Sequence, residues 1–198
     1  MNELDRELFL LVNSASETNS IVSFGAYLIA KYIIFAVPMG LAALWIAGGD
    51  AARRLALTLF VALVLSVLSS FAIGSIFPLQ RPFLIPLGHN LMEHRASPSF
   101  PSNHALVIFS CAWTLFFMAH RWQAVIIAVA GLLVAWSRVY LGVHWPFDMM
   151  GAAIVAGIAA LVAVAMNRSF GGDALAATSR YYETFIERPV RRGWERLK

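Results

Sequence analysis

The chain has 198 residues, of which 60% are hydrophobic and 13% charged, against roughly 45 to 50% and about 25% in a soluble domain. That composition excludes an ordinary water-soluble globule. A formal charge of +4, from 15 Lys and Arg against 11 Asp and Glu, is too small and too scattered for a nucleic-acid surface. The one cysteine, Cys111, excludes an internal disulfide and any multi-cysteine metal centre, and reads as a small apolar residue.

The N-terminal segment carries Asn2, Glu3, Asp5 and Glu7 rather than basic residues, which argues against a cleaved signal peptide. Leu4, Leu8, Leu11 and Val12 share a helical face. Residues 1–20 are therefore expected to form an amphipathic helix lying at the membrane interface, with a frayed tail as the alternative. Five apolar runs follow: Ile21 to Ala47, Leu55 to Ile76, Ala105 to Ala119, Ala124 to Leu141 and Phe147 to Met166. A bilayer core of about 30 Å needs about 20 helical residues, because only an internally hydrogen-bonded backbone is tolerated there. Four runs meet that length. Ala105 to Ala119 is short and is expected to start near Ser102. Pro38 and Gly131 are compatible with spans, since membrane helices carry both residue types more often than soluble ones. The predicted architecture is all-α: one polytopic helix bundle of about five spans, with an interfacial helix in 1–20, a transmembrane core in 21–166 and a basic amphipathic tail in 167–198.

If the spans alternate, one side collects Arg53, Arg54, Arg121, Arg168, Arg180, Arg188, Arg191, Arg192, Arg196 and Lys198, ten of the 15 cationic side chains. The positive-inside rule makes that side cytoplasmic. The tail, with Tyr181, Tyr182, Phe185 and Trp194 among its cations, reads either as a surface helix on anionic lipid or as a plain stop-transfer anchor.

Three segments then meet on the outer side, each at the end of a span: Arg81-Pro82, Pro101-Ser102-Asn103-His104, and Ser137-Arg138 followed by His144 and Asp148. Arg81 and Arg138 offer planar forks of donors suited to phosphate oxygens. Ser102, after Pro98 and Pro101, stands where a helix N-cap belongs, so the amides of residues 103 to 105 are expected to face an anion. Pro146 suits the first turn of the fifth span, which puts His144 just ahead of that helix and Asp148 inside its first turn. A carboxylate on one ring nitrogen fixes the tautomer and frees the other lone pair, the arrangement of a nucleophile with its orienter. His104 is then available to pass a proton to the leaving oxygen and to take one from water. Each residue also has a plainer reading. The arginines can be anchors snorkelling to head groups, His104 an interfacial histidine, and the His144–Asp148 pair a packing bond or part of a metal site completed by His89, Glu93 or His94. Only their joint occurrence at one membrane face favours chemistry.

These segments resemble the three-part signature of the type 2 phosphatidic acid phosphatase family of membrane lipid phosphatases, over a stretch from about Phe77 to Met166. Ser137-Arg138, His144 and Asp148 match the third part in full. The runs Arg81-Pro82-Phe83, Ser99-Phe100-Pro101-Ser102-Asn103-His104 and Ser137 to Pro146 look most like its bacitracin-resistance type of undecaprenyl-diphosphate phosphatase. The resemblance implies removal of the terminal phosphate from a C55 polyprenyl diphosphate, a cell-wall lipid carrier, at the periplasmic or outer face of a bacterial inner membrane. It implies metal-independent chemistry without a cofactor, with the lipid substrate and membrane lipids as partners and no nucleic acid. His144, Asp148 and His104 would be catalytic through a phosphohistidine, with Arg81, Ser102, Asn103 and Arg138 on the phosphate. Two positions depart from the pattern. Gly74 stands where the family usually carries a Lys, for which Lys31 is a candidate replacement with a snorkelling anchor as its plainer role, and Asn103 stands where Gly or Asp is usual. Ser137 is a further candidate. A phosphatase or phosphotransferase for another lipid (phosphatidylglycerol phosphate, phosphatidic acid, lipid A) is the rival within the enzymes. A lipid transporter or scaffold is the rival outside them.

Overall fold

The computed structural model describes residues 2–14, 21–85, 87–182 and 184–185, and their regular structure is helical throughout. The helices are α1 (Glu3–Val12), α2 (Ile21–Tyr32), α3 (Ala36–Ala47), α4 (Asp50–Ile76), α5 (Asn103–Phe117), α6 (Arg121–Tyr140) and α7 (Pro146–Tyr182). Asn2 caps α1 by accepting the Leu4 N–H at 3.3 Å. α2 and α3 make one apolar stretch, Ile21–Ala47, interrupted by a 3-10 turn at Ile33–Phe35. Pro38 explains the interruption. It lacks the N–H that would bond the Ile34 carbonyl, and its ring crowds that carbonyl, so the preceding backbone tightens.

Four helical stretches are long and apolar enough to cross a membrane: Ile21–Ala47, Asp50–Ile76, Arg121–Tyr140 and Pro146–Tyr182. α5, with 15 residues, is shorter, about 22 Å by the helical rise. It is nevertheless the innermost helix, packed against α4, α6 and α7 with Leu106, Ile108, Phe109, Cys111, Thr114 and Leu115 buried. Walled by helices over most of its surface, with Trp113 and Phe116 exposed, it can end inside the bundle, where irregular backbone is covered by protein. Small residues set the close approach that such packing needs. Ala62 of α4 meets Ala160 and Ala163 of α7, Ser66 and Ser110 hydroxyls bond at 2.6 Å between α4 and α5, and Gly151 lies so near the Phe100 ring that a Cβ would come within 2.2 Å of it. Facing outward are Phe60, Leu68, Phe71, Ile126, Leu132, Ile154 and Ile158, all exposed, a surface suited to hydrocarbon rather than water.

The two ends of the chain's core differ from the expectation. The last span does not stop at Met166: α7 continues to Tyr182, 37 residues in all, or about 55 Å. Residues 167–182 therefore prolong that helix and do not form a separate amphipathic element. Arg54 ties them to α4, donating to the Asn167 side chain at 2.8 Å and its carbonyl at 3.0 Å. Arg188, Arg191, Arg192, Trp194, Arg196 and Lys198 lie outside the described residues.

The N-terminal helix forms, but it docks mainly through Asp5 and Phe9; of the predicted face, Val12 packs against the same cluster as Phe9. Phe9 is fully buried, with its ring 5.0 Å from that of Trp145. Asp5 is also buried and accepts the Phe147 N–H at 2.9 Å, whereas Leu4 and Leu11 are exposed. The physical reason lies in α7, whose first-turn amides have no partner within their own helix; Asp5 supplies one from across the chain. Residues 15–20 of the expected interfacial segment are outside the described ones.

Candidate active site

The ends of α4, α5, α6 and α7 bring five buried residues together. Arg81 opens the 3-10 turn Pro82–Leu84 after α4. Ser102 is the N-cap of α5, Arg138 lies in the last turn of α6, and His144 precedes α7, whose first turn holds Asp148. His104, in the first turn of α5, is half-buried.

His144 Nδ1 lies 3.0 Å from Asp148 Oδ2, and its Nε2 lies 2.9 Å from Arg81 Nη1. A guanidinium only donates, so Nε2 must be the accepting, unprotonated nitrogen and Nδ1 carries the hydrogen given to Asp148. The tautomer is thus decided by two partners on opposite edges of the ring. Asp148 Oδ2 is itself held by three donors: His144 Nδ1, the Trp145 N–H at 2.9 Å and the Ser99 hydroxyl. Burial, then Arg138, Arg81, His94 and His104, hold His144 well below the usual 6.5, so its ring is neutral at neutral pH.

Arg81 spends every nitrogen. Nε donates to the Ser97 carbonyl (2.9 Å), Nη2 to the Ser97 hydroxyl (3.2 Å) and Pro98 carbonyl (3.1 Å), and Nη1 to the Val143 carbonyl (3.0 Å) as well as to His144. Burial brings its pKa down to about 10, with Asp148 opposing, which leaves it charged at pH 7. Arg138 is the opposite case. Its Nη1 reaches only Met92 Sδ at 3.8 Å, and Nε and Nη2 have no partner although the side chain is fully buried. The Ser102 hydroxyl, buried at an N-cap, likewise makes no capping bond and has no partner. Among the described residues only Ser179 adds another such side-chain atom. Buried donors without acceptors are costly, and three of them beside a neutral imidazole suit a multiply charged oxyanion.

The remaining predicted side chains bond other partners. The Asn103 side-chain oxygen accepts from Ser70 of α4 at 2.6 Å. Ser137 turns back to its own helix, donating to the Val134 carbonyl at 2.8 Å. Lys31 is exposed on α2 and donates to the Tyr27 hydroxyl at 2.7 Å, within cation–π range of Tyr27 and Tyr32, while Gly74 packs against Pro98 and Phe100. Three residues escaped sequence reasoning: Ser99, which bonds Asp148, Asp5, which caps the helix carrying Asp148, and Trp145, whose indole N–H bonds the Gln80 carbonyl at 2.8 Å and ties His144's neighbour to the Arg81 segment. Ser99 lies within the run ending in His104 and Trp145 within the run Ser137 to Pro146, and that proximity was the available signal for both.

A model of the PAP2 superfamily matches residues 55–171. The chain is 35% identical over 196 residues to YbjG of Escherichia coli K12, covering 99% of each. It is 28% identical over 155 residues to the undecaprenyl-diphosphatase BcrC of Bacillus subtilis, covering 77% of this chain and 79% of that one. Its fold is shared with LpxE of Aquifex aeolicus, with a TM-score of 0.67 at 23% identity over 82% of this chain and 96% of that one. The matched residues run from α4 into α7 and enclose Arg81, Ser99, Ser102, His104, Arg138, His144 and Asp148. By the extent of that match and the full-length likeness to YbjG, the chain belongs to the PAP2 superfamily.

Proposed function

We propose that this protein hydrolyses undecaprenyl diphosphate to undecaprenyl phosphate through a phosphohistidine on His144, at the periplasmic or outer face of the cytoplasmic membrane, and so recycles a cell-wall lipid carrier. The observation that carries the reading is the arrangement around one ring: an unprotonated His144 Nε2 beside three unpartnered donors of Arg138 and Ser102. The lipid choice is supported by the relative BcrC, an undecaprenyl-diphosphatase. The outer placement is supported by the positive-inside rule, since Arg53, Arg54, Arg121 and Arg168 belong to the other end of the bundle.

In the proposed cycle the terminal phosphoryl replaces His144 Nε2 as an acceptor of Arg81 Nη1 and takes bonds from Arg138 Nε and Nη2 and from the Ser102 hydroxyl. His144 Nε2 forms a bond to phosphorus as the bond to the bridging oxygen breaks, and His104 gives that oxygen its proton, releasing undecaprenyl phosphate. Asp148 stabilises the positive charge that the ring acquires. A water then attacks the phosphohistidine, returns a proton to His104 and releases inorganic phosphate, restoring His144. The guanidiniums supply the charge stabilisation that phosphoryl transfer requires, and the cycle calls for no metal.

The test offers purified protein labelled undecaprenyl diphosphate, phosphatidic acid and phosphatidylglycerol phosphate in the presence of chelator, and follows phosphate release. Undecaprenyl diphosphate is expected to turn over fastest, with an acid-labile, base-stable phosphoprotein that is absent from His144→Ala. Preference for another lipid would replace the substrate assignment. Inactivity of wild type towards all three would favour a transporter or scaffold.

A further inference from the structure

The imidazole of His94 stands beside the nucleophile and has no part in the cycle above. It belongs to the loop 87–97, which is pinned across the site at several points. Leu91 donates its N–H to the Leu141 carbonyl at 3.0 Å. Asn13, at the C-terminal end of α1, donates to the His89 and Tyr140 carbonyls at 2.9 and 3.0 Å and accepts the His89 N–H at 2.7 Å. Met92 reaches Arg138 from the same loop. So held, the half-buried His94 ring lies edge-on to His144, centroids 5.9 Å apart at 75°, with Phe83 6.5 Å away on another side.

The His94 Nδ1 is 3.1 Å from the Arg95 carbonyl. A carbonyl only accepts, so Nδ1 carries the hydrogen and Nε2 is the nitrogen left with a lone pair. Around this ring stand Arg95 of its own loop, Arg81 of the preceding segment, Arg138 of α6, His104 of α5 and His144 ahead of α7. Burial first, and then the three guanidiniums, bring its pKa down to about 4 against the pull of the Arg95 carbonyl. An arriving phosphate offsets part of that positive charge and favours the imidazolium. A proton taken from solvent at Nε2 would then be donated to a phosphate oxygen as a charge-assisted bond, while Nδ1–H stays on the Arg95 carbonyl.

We propose that His94 is a third imidazole of the phosphate site, binding an oxygen of the transferring phosphoryl group through Nε2. The proposal rests on reading this site as one of phosphoryl transfer, and it adds a contact from outside the three signature segments. Two substitutions separate a donor from a packing ring: His94→Phe keeps the ring against Phe83 and His144 without nitrogens, and His94→Gln keeps an N–H donor without the ring. The dissociation constant of inorganic phosphate is measured by calorimetry on detergent-solubilised wild type and both variants, alongside their melting temperatures. The expected result is a rise of about tenfold or more for His94→Phe, from loss of a charge-assisted bond, and of no more than about threefold for His94→Gln. Phosphate binding by His94→Phe like wild type, equal losses in both variants, or no phosphate binding by wild type would each overturn it. Binding does not depend on which lipid is the substrate. Wild type that binds phosphate through His94 yet leaves undecaprenyl diphosphate intact would therefore sink the lipid assignment and spare this one.

Discussion

Asp5 is the residue through which the N-terminal helix holds the helix carrying Asp148, and its replacement separates a hydrogen bond from a charge. Its carboxylate accepts the Phe147 N–H in the first turn of α7, one residue ahead of Asp148. Asp5→Ala leaves that buried amide without an acceptor, a loss of about 1 to 2 kcal/mol by comparison with helix caps and unsatisfied donors. For a chain of this size that lowers the melting temperature by about 2 to 8 °C. Because His144 and Asp148 straddle the same turn, kcat/KM is expected to fall about tenfold, short of the hundredfold that a misplacement near 1 Å can cost. Asp5→Asn behaves differently. Burial is the largest influence on Asp5 and raises its pKa above 3.8, outweighing the Phe147 bond that lowers it. The position therefore needs an acceptor more than a charge, and Asn retains one. Its melting temperature and turnover are expected to stay close to wild type, a small fraction of the alanine effect. Thermal unfolding followed by tryptophan fluorescence, with Trp145 packed on Phe9 as a local reporter, and phosphate release on the same samples test this. Asp5→Ala indistinguishable from wild type, or Asp5→Asn falling as far as Asp5→Ala, would refute the reasoning.

Four further outcomes follow from the same geometry. Ser99→Ala removes one of three donors on Asp148 Oδ2, worth about 1.5 to 3 kcal/mol for a bond to a charged group, so kcat should drop roughly tenfold to a hundredfold in single-turnover phosphate release; a drop below twofold speaks against it. Arg81→Lys replaces five contacts with at most three from a point charge, and steady-state kinetics should show a loss in kcat/KM of more than about a hundredfold, since at least two charge-assisted bonds vanish. With His144 held well below 6.5 by burial, Arg138 and Arg81, the kcat/KM profile of the free enzyme should show no loss of nucleophile at pH 6.5. Arg81→Gln removes one of those charges and should move the acid limb to higher pH, and a limb that moves down contradicts the electrostatic account. Gly142 has φ +80°, and a Cβ there would come within 2.2 Å of the His89 carbonyl, so Gly142→Ala should lower the melting temperature by several degrees, about 1 kcal/mol or more.

Much of the fold was legible because its signals are local. Hydropathy over about 20 residues locates a span wherever the bilayer is the solvent, and Ile21–Ala47 came out with the predicted ends. Pro146 and Asp148 at the start of α7 were readable in the same way, from caps and periodicity. The N-terminal helix was legible as a helix but not as a docked one. Hydropathy favoured the face of Leu4 and Leu11, and nothing near Asp5 in the chain announces an acceptor for an amide 142 positions away. Asn103, Ser137 and Lys31 were singled out by residue type and position, yet each side chain bonds a neighbour outside the cluster around His144.

The chain alone, then, determined how many long apolar helices form, where the cations gather and which polar residues stand at helix ends, because each depends on neighbours within a turn or two. Only the tertiary structure decided which nitrogen of His144 is free, because Arg81 and Asp148 must meet the ring from opposite edges. It also decided which donors remain unspent, because Arg81 finds carbonyls in the 97–98 and 143 segments whereas Arg138 finds one sulfur. Hydrogen-bond satisfaction is a property of packing between distant segments, and no local pattern encodes it.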